Sequence, residues 1–193
     1  MQLTSICVYC GSADGLAQIY LSAAEETGRV LAENNIRLVY GAGKTGLMGA
    51  VADGALKANG KVMGVVPDNL NTPQLIHSGL TQLDVTADIH SRKARMSALA
   101  DAFIALPGGY GTLDELFETL TWAQIGIHQK PVGILNTNHY YDPLLEMIRR
   151  AESEKFIYAE HLCLLMVDEH PAQLLMKLIH YQQPDGLDRW VNR

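Results

Sequence analysis

Three apolar pentads in this chain run into glycine turns, and each turn opens onto a stretch with helical spacing. Ser5-Ile6-Cys7-Val8-Tyr9 ends at Cys10-Gly11-Ser12, and Gly15 to Asn35 follows with apolar residues at Leu16, Ile19, Tyr20, Ala23, Ala24, Val30 and Leu31. Ile36 to Tyr40 ends at Gly41-Ala42-Gly43-Lys44-Thr45-Gly46-Leu47-Met48-Gly49, which opens a helix running to about Asn59. Ala102 to Leu106 ends at Pro107-Gly108-Gly109-Tyr110-Gly111-Thr112-Leu113-Asp114-Glu115, and an amphipathic run from Leu116 to Ile125 follows. Strands that are apolar throughout are buried on both faces, and strands alternating with helices pair in parallel. The pattern predicts a Rossmann-like, doubly wound α/β fold: a mostly parallel sheet of about seven strands with helices on both faces. The other strands are expected at Lys61–Val66, Leu80–Val85, Pro131–Leu135 and Cys163–Val167. The other helices are expected at Ala87–Ala100, Tyr140–Ser153 and Pro171–Tyr181. Pro67 to Gly79 reads as a surface loop. At 193 residues the chain is expected to form one domain over 1–193, with a polar tail over 182–193.

Bulk properties remove several function classes. A net charge of −6 argues against nucleic-acid binding, which needs a broad basic face, but leaves room for one local anion pocket. No apolar run approaches a membrane span, and the N-terminus lacks a signal-peptide pattern. Three cysteines make no disulfide framework, so the expected compartment is the reducing cytoplasm.

Ligands of doubly wound folds sit outside the carboxyl ends of the strands, where the three glycine turns are expected to meet. Gly41 to Gly46 has dinucleotide-fingerprint spacing, with Asp68 about twenty residues beyond, but it follows the second strand and not the first. Gly43-Lys44-Thr45 fails as a P-loop because Leu38 stands where the leading glycine belongs. Cys7 and Cys10 have C-x-x-C spacing along a strand and read as buried thiols. His128, His139, His161 and His170 fall near turns and read as surface residues. No zinc-protease or serine-hydrolase spacing occurs.

The turn at Pro107 reads as an anion cradle. Its glycines keep side chains away from the free amides of a helix start. Thr112 and Glu115 are spaced as a capping box, which gives Glu115 a purely structural reading beside a catalytic one. Adjacent helical residues point about 100° apart, so Asp114 and Glu115 cannot both face one site. Arg92 and Arg95, three apart, read as a solvated basic face. The alternative brings Arg92-Lys93 to the same sheet edge, because their helix runs directly into the strand that ends at Pro107.

These residues carry a resemblance. Pro107 to Glu115 resembles the P-G-G-x-G-T-x-x-E signature of the LOG family, the cytokinin riboside 5′-monophosphate phosphoribohydrolases. Arg92-Lys93-Ala94-Arg95-Met96 resembles that family's R-K-A-x-M element. Gly41 to Gly49 resembles its G-G-G-x-x-G-L-M-G turn. Cys10-Gly11-Ser12, Thr121-Trp122-Ala123-Gln124 and Lys130-Pro131-Val132-Gly133 continue the match, in order, from Ser5 to Val167. The resemblance implies hydrolysis of the N-glycosidic bond of AMP or an N6-substituted AMP, giving free base and ribose 5-phosphate. It implies Arg92 and Glu115 as the catalytic pair. It implies substrate contacts around Lys93, Gly109, Tyr110, Gly111, Thr112, Leu113, Asp114 and Thr121, and around Ser12, Gly43 and Met48 of the neighbouring turns. It implies no metal and no other cofactor, and a homodimer with the pocket at or near the interface. Such proteins have also carried a lysine decarboxylase label, which nothing in this sequence supports.

The implied chemistry suits the residues. Breaking a glycosidic bond builds oxocarbenium-like charge on the ribose, which a carboxylate stabilises. Three departures qualify the match: Arg95 stands where an acid is usual, Gln74 replaces a loop glutamate, and Ala42 replaces a glycine. The alternative is a non-catalytic binding module resembling molybdenum cofactor carriers. The presence of both Arg92 and Glu115 favours the enzyme.

Overall fold

The computed structural model describes residues 3–187. Seven strands form one sheet: β1 (Ser5–Tyr9), β2 (Arg37–Tyr40), β3 (Val62–Pro67), β4 (Gln82–Thr86), β5 (Ala102–Ala105), β6 (Val132–Leu135) and β7 (Leu165–Asp168). Their order is β4-β3-β2-β1-β5-β6-β7, and all six pairings are parallel. The sheet grows from β1 in one direction and from β5 in the other. The β1/β5 boundary is therefore the switch point, where the chain leaves neighbouring strands in opposite directions and opens a crevice.

Helices α1 (Gln18–Glu33), α2 (Gly46–Lys57) and α7 (Pro171–Ile179) cover one face. There Leu31, Leu47, Val51 and Leu174 pack on Ile6, Val8, Leu38 and Ile104. Helices α3 (Ile89–Leu99), α4 (Tyr110–Gln124) and α5 (Asp142–Ser153) cover the other. There Met96, Leu116 and Tyr141 pack on Cys7, Val39, Phe103 and Ile134. Alternate strand residues thus enter opposite cores, and each fully buried leucine or isoleucine contributes on the order of 2 kcal/mol. α1 and α2 approach closely because Gly28 and Gly54 carry no Cβ: one would strike the Val51 carbonyl, the other the Glu25 carbonyl.

Three local expectations change. β4 is an edge strand with Leu83 and Val85 exposed, not a buried one. Pro67 is the last residue of β3, opposite Thr86, and does not stop the strand before itself. A one-turn helix, α6 (Ala159–Leu162), is too short to leave a periodic signal. Residues 188–193 of the expected tail lie outside the described residues. Its preceding part docks, with Leu187 buried against Ala123 and Leu164. No helix among the described residues is long and apolar enough to cross a membrane.

Candidate active site

Three turns converge at the carboxyl edge. The Gly11 amide donates to the Pro107 carbonyl at 3.1 Å, tying the β1 and β5 exits together. The Gly11 carbonyl accepts from the amides of Leu47 and Met48 at 2.9 and 3.3 Å. The Thr45 hydroxyl donates to the Ser12 carbonyl at 2.7 Å. The start of α2 is therefore capped from inside the protein. Gly46, at φ 57°, lies under the main chain of residues 11–13, where a Cβ would clash. This weighs against the dinucleotide spacing as a phosphate site, because the amides of Lys44, Leu47 and Met48 already have main-chain acceptors.

The start of α4 is different. Its N-cap is Gly109, and no side chain caps it. A Cβ on Gly109 or Gly111 would meet nothing within 4 Å, and Tyr110 is 95% exposed. The start of this helix is open around Gly109 and Gly111 and lacks a side-chain cap, as an anion cradle requires. Gly108 is under tighter constraint, since a Cβ there would meet Thr112 and the Gly11 amide. The hydroxyl of Tyr140 donates to the Gly108 carbonyl at 2.7 Å, and that of Tyr141 to the Leu106 carbonyl at 2.6 Å. These two tyrosines hold the turn from the β6–α5 connection. Only their adjacency after a strand could have marked them in the sequence.

With Gly109 as N-cap, Thr112 and Glu115 both lie inside α4, so the capping box does not form. Thr112 is buried beneath Gly108, and Leu113 packs on the core. Glu115 is released from its helix end and meets Arg92. The Arg92 Nη1 donates to Glu115 Oε1 at 2.9 Å, and its Nε donates to the Val65 carbonyl at the end of β3 at 3.0 Å. Both residues are buried. Burial pushes the Glu115 carboxyl up, and the charge and hydrogen bond of Arg92 only partly offset this. Thr119 donates to the Glu115 carbonyl and shares a hydrogen bond with the buried Tyr9 hydroxyl, fixing this turn of α4 against β1.

Arg92 reaches the site because α3 begins one turn earlier. Asp88 caps it, accepting from the Ser91 amide at 2.7 Å. Arg95 does not share its face: it points outward to Asp84 at 2.7 Å. Lys93 is a clamp between α3 and α4, its amine 3.0 Å from Asp114 and 3.1 Å from Glu118. Asp114 thus turns away from Glu115, as the helical geometry requires. Burial would lower the Lys93 amine, but its two carboxylate partners outweigh that and hold it above its ordinary value.

Gly43 and Met48 sit together, the Met48 thioether lying where a Gly43 Cβ would be. Gly43 bridges Ile76, and the Lys44 amide donates to the Leu75 carbonyl at 3.0 Å, so the loop after β3 is strapped to this turn. Ala42 is buried at φ 65°, which accounts for glycine at that position in the family pattern. Thr121 is not brought to the pair. It lines an apolar groove of ≈ 530 Å³ between α4, α5 and α6, together with Phe117, Leu145 and Ile148. Cys7 and Cys10 are buried free thiols and Cys163 is an exposed one. His161 is buried, contrary to its surface reading, and packs beside Tyr158. Among the described residues no group of three His, Cys, Asp or Glu could hold a metal ion.

Residues 48–178 match a family model described as "Possible lysine decarboxylase". A Schiff-base lysine needs a free amine of lowered pKa, whereas the lysine beside this pair, Lys93, is held charged between two carboxylates. The site therefore does not fit pyridoxal phosphate. The chain is 46% identical over 176 residues to a cytokinin riboside 5′-monophosphate phosphoribohydrolase of Oryza sativa subsp. japonica, covering 91% of this chain and 73% of that protein. It is 49% identical over 154 residues to the protein of that name from Rhodococcoides fascians, covering 79% and 78%. Among solved structures, the molybdenum cofactor binding protein of Rippkaea orientalis aligns with a TM-score of 0.69 at 23% identity, covering 93% of this chain and 96% of that one. The Moco carrier protein of Chlamydomonas reinhardtii aligns with a TM-score of 0.68 at 21% identity, covering 93% and 100%. At such identities the likeness extends to the fold alone. The curated relatives go further, and by them and by the family match the chain belongs to the LOG family.

Proposed function

We propose that this protein hydrolyses the N-glycosidic bond of AMP or an N6-substituted AMP, of the cytokinin-activating type, releasing free base and ribose 5-phosphate. The observation that carries the reading is the buried Arg92–Glu115 pair beside an uncapped helix start. Glu115 follows Tyr110 by five residues, about 7.5 Å of helix rise, a distance one nucleotide spans from its phosphate to its glycosidic bond. The phosphate rests on the amides at Gly109 to Thr112. The ribose then lies against Glu115, which stabilises positive charge at C1′ and orients water. The water oxygen bonds to C1′, the C–N electron pair leaves with the base, and the water proton passes through Glu115 to that base. A raised carboxyl pKa suits Glu115 to this proton transfer. Arg92 favours the ionised carboxylate and fixes its orientation. Lys93 and Asp114 hold α3 to α4, and so contribute by fixing the pair. No step calls for a metal or redox cofactor.

The same reading includes a homodimer. Phe117, Ile125, Met147 and Phe156 leave an exposed apolar surface around the α4–α5 groove, which a second copy would cover. Thr121 would then meet substrate only near that interface, since six residues turn a helix about 240° from Glu115. Three free thiols suit the reducing cytoplasm. The test is incubation with AMP and with N6-isopentenyl-AMP, followed by analysis for free base and ribose 5-phosphate. Release of both products is expected. Failure to release base from any purine or pyrimidine monophosphate at high enzyme concentration would overturn the reading.

A further inference from the structure

The Arg92 guanidinium is held on two sides by hydrogen bonds, from Nε to the Val65 carbonyl and from Nη1 to Glu115. Its third nitrogen, Nη2, lies against Gly41, the first residue after β2. A Cβ built on Gly41 falls far inside van der Waals contact with Nη2, and also meets the Met48 methyl. No main-chain atom is among these nearest neighbours, and Gly41 is not among the positive-φ glycines. An alanine there keeps a permitted backbone, so the crowding falls on two side-chain ends. Met48 is unbranched and can move aside. Arg92 cannot do so without giving up the Val65 or the Glu115 hydrogen bond.

We infer that Gly41 is a positioning residue for the proposed hydrolysis: its missing side chain is the space that lets the Arg92 guanidinium lie flat between Val65 and Glu115. This rests on the reaction assigned above, but the placement of Arg92 can be tested without it. It also separates two glycines of one turn, since a Cβ on Gly43 would press only on Met48.

The experiment compares Gly41→Ala with the parent protein by steady-state kinetics on N6-isopentenyl-AMP, by thermal melting, and by the ¹⁵N–¹H resonance of the Arg92 Nε–H. The expected result is a kcat lower by about a hundredfold, the scale of a misplacement near 1 Å. KM should stay within about threefold, because the phosphate contacts at α4 are untouched. The Nε–H resonance should shift or lose its protection from exchange. The same factor in kcat should recur in a Met48→Ala background. A kcat within threefold of the parent, an unchanged Nε–H resonance, or recovery of kcat in the Met48→Ala background would each overturn the inference. If Gly41→Ala does not fold, the double variant Gly41→Ala/Arg92→Lys decides, because lysine has no Nη2: folding supports the inference and failure to fold sinks it. If the parent releases no base, the function assigned above fails while the Nε–H resonance still decides the placement.

Discussion

The starts of α2 and α4 are the same device put to opposite uses. Each follows a buried strand, each carries two glycines in its approach and at least one more in its first turn, and each would serve as an anion cradle on sequence alone. At α2 the Gly11 carbonyl fills the cradle, accepting from two leading amides. At α4 no side chain caps the helix and nothing lies over Gly109 or Gly111. Glycine at α2 lets main chain pack on main chain, whereas glycine at α4 leaves room for something outside the protein. Glycine count and spacing cannot separate the two. The position of the Gly11 carbonyl can, and it depends on β1 lying between β2 and β5.

The largest effect that could sharpen this comparison is at the carboxylate that α4 carries. Glu115→Gln should lower kcat by at least about a hundredfold, as loss of a transition-state stabiliser does. Its melting temperature should change little, since glutamine still accepts from Arg92. A large fall in stability with near-normal turnover would return Glu115 to a structural role. Next come the glycines themselves. Gly46→Ala should cost roughly 2 kcal/mol of stability by urea denaturation, through its positive φ and the clash at residues 11–13. Gly111→Ala, inside α4 with nothing near its Cβ, should keep stability or raise it by up to about 1 kcal/mol, and raise KM for a nucleoside monophosphate several-fold. If the two outcomes are exchanged, the phosphate is at α2.

Acidity offers a smaller handle. Burial raises the Glu115 carboxyl, so a base that must be ionised is lost earlier as pH falls. The acid limb of the kcat/KM profile, which reports the free enzyme, should therefore lie above the ordinary carboxylate range and fall about tenfold per pH unit. A limb at or below that range would mean that another group sets it. The smallest effect is expected at Ala42→Gly, on the α2 side. Relief of a left-handed alanine, about 1 kcal/mol, nearly cancels the loss of a buried methyl, about 0.8 kcal/mol. A shift in melting temperature beyond about 5 °C would show that one of these effects is misjudged.

Most of the fold was legible because its strands are short apolar runs, three of them ending in glycine turns, and this signal needs no knowledge of strand order. It weakened at β4, an edge strand without a buried pattern, and failed at α6, which has a single turn. The site was legible in its residues but not in their partners. Arg92 and Arg95 look alike at three residues' spacing, yet one is buried against Glu115 and the other reaches Asp84. The difference arises from where α3 lies on the sheet, which comes from pairings across the whole chain. Thr112 and Glu115 read as a cap because their spacing is right. Only the backbone reveals that Gly109 begins the helix and frees both.

The two tyrosine hydroxyls on the Pro107 turn have a kinetic consequence. Tyr140 and Tyr141 anchor the carbonyls of Gly108 and Leu106 from a neighbouring connection, and Gly11 anchors Pro107 from β1. A turn fastened from both flanks keeps one shape whether or not an anion is present. Its ordering entropy was lost when the chain folded and is not lost again at each encounter. On the proposed reading a phosphate would meet amides already aimed, and catalysis at this edge would not wait for a loop to close.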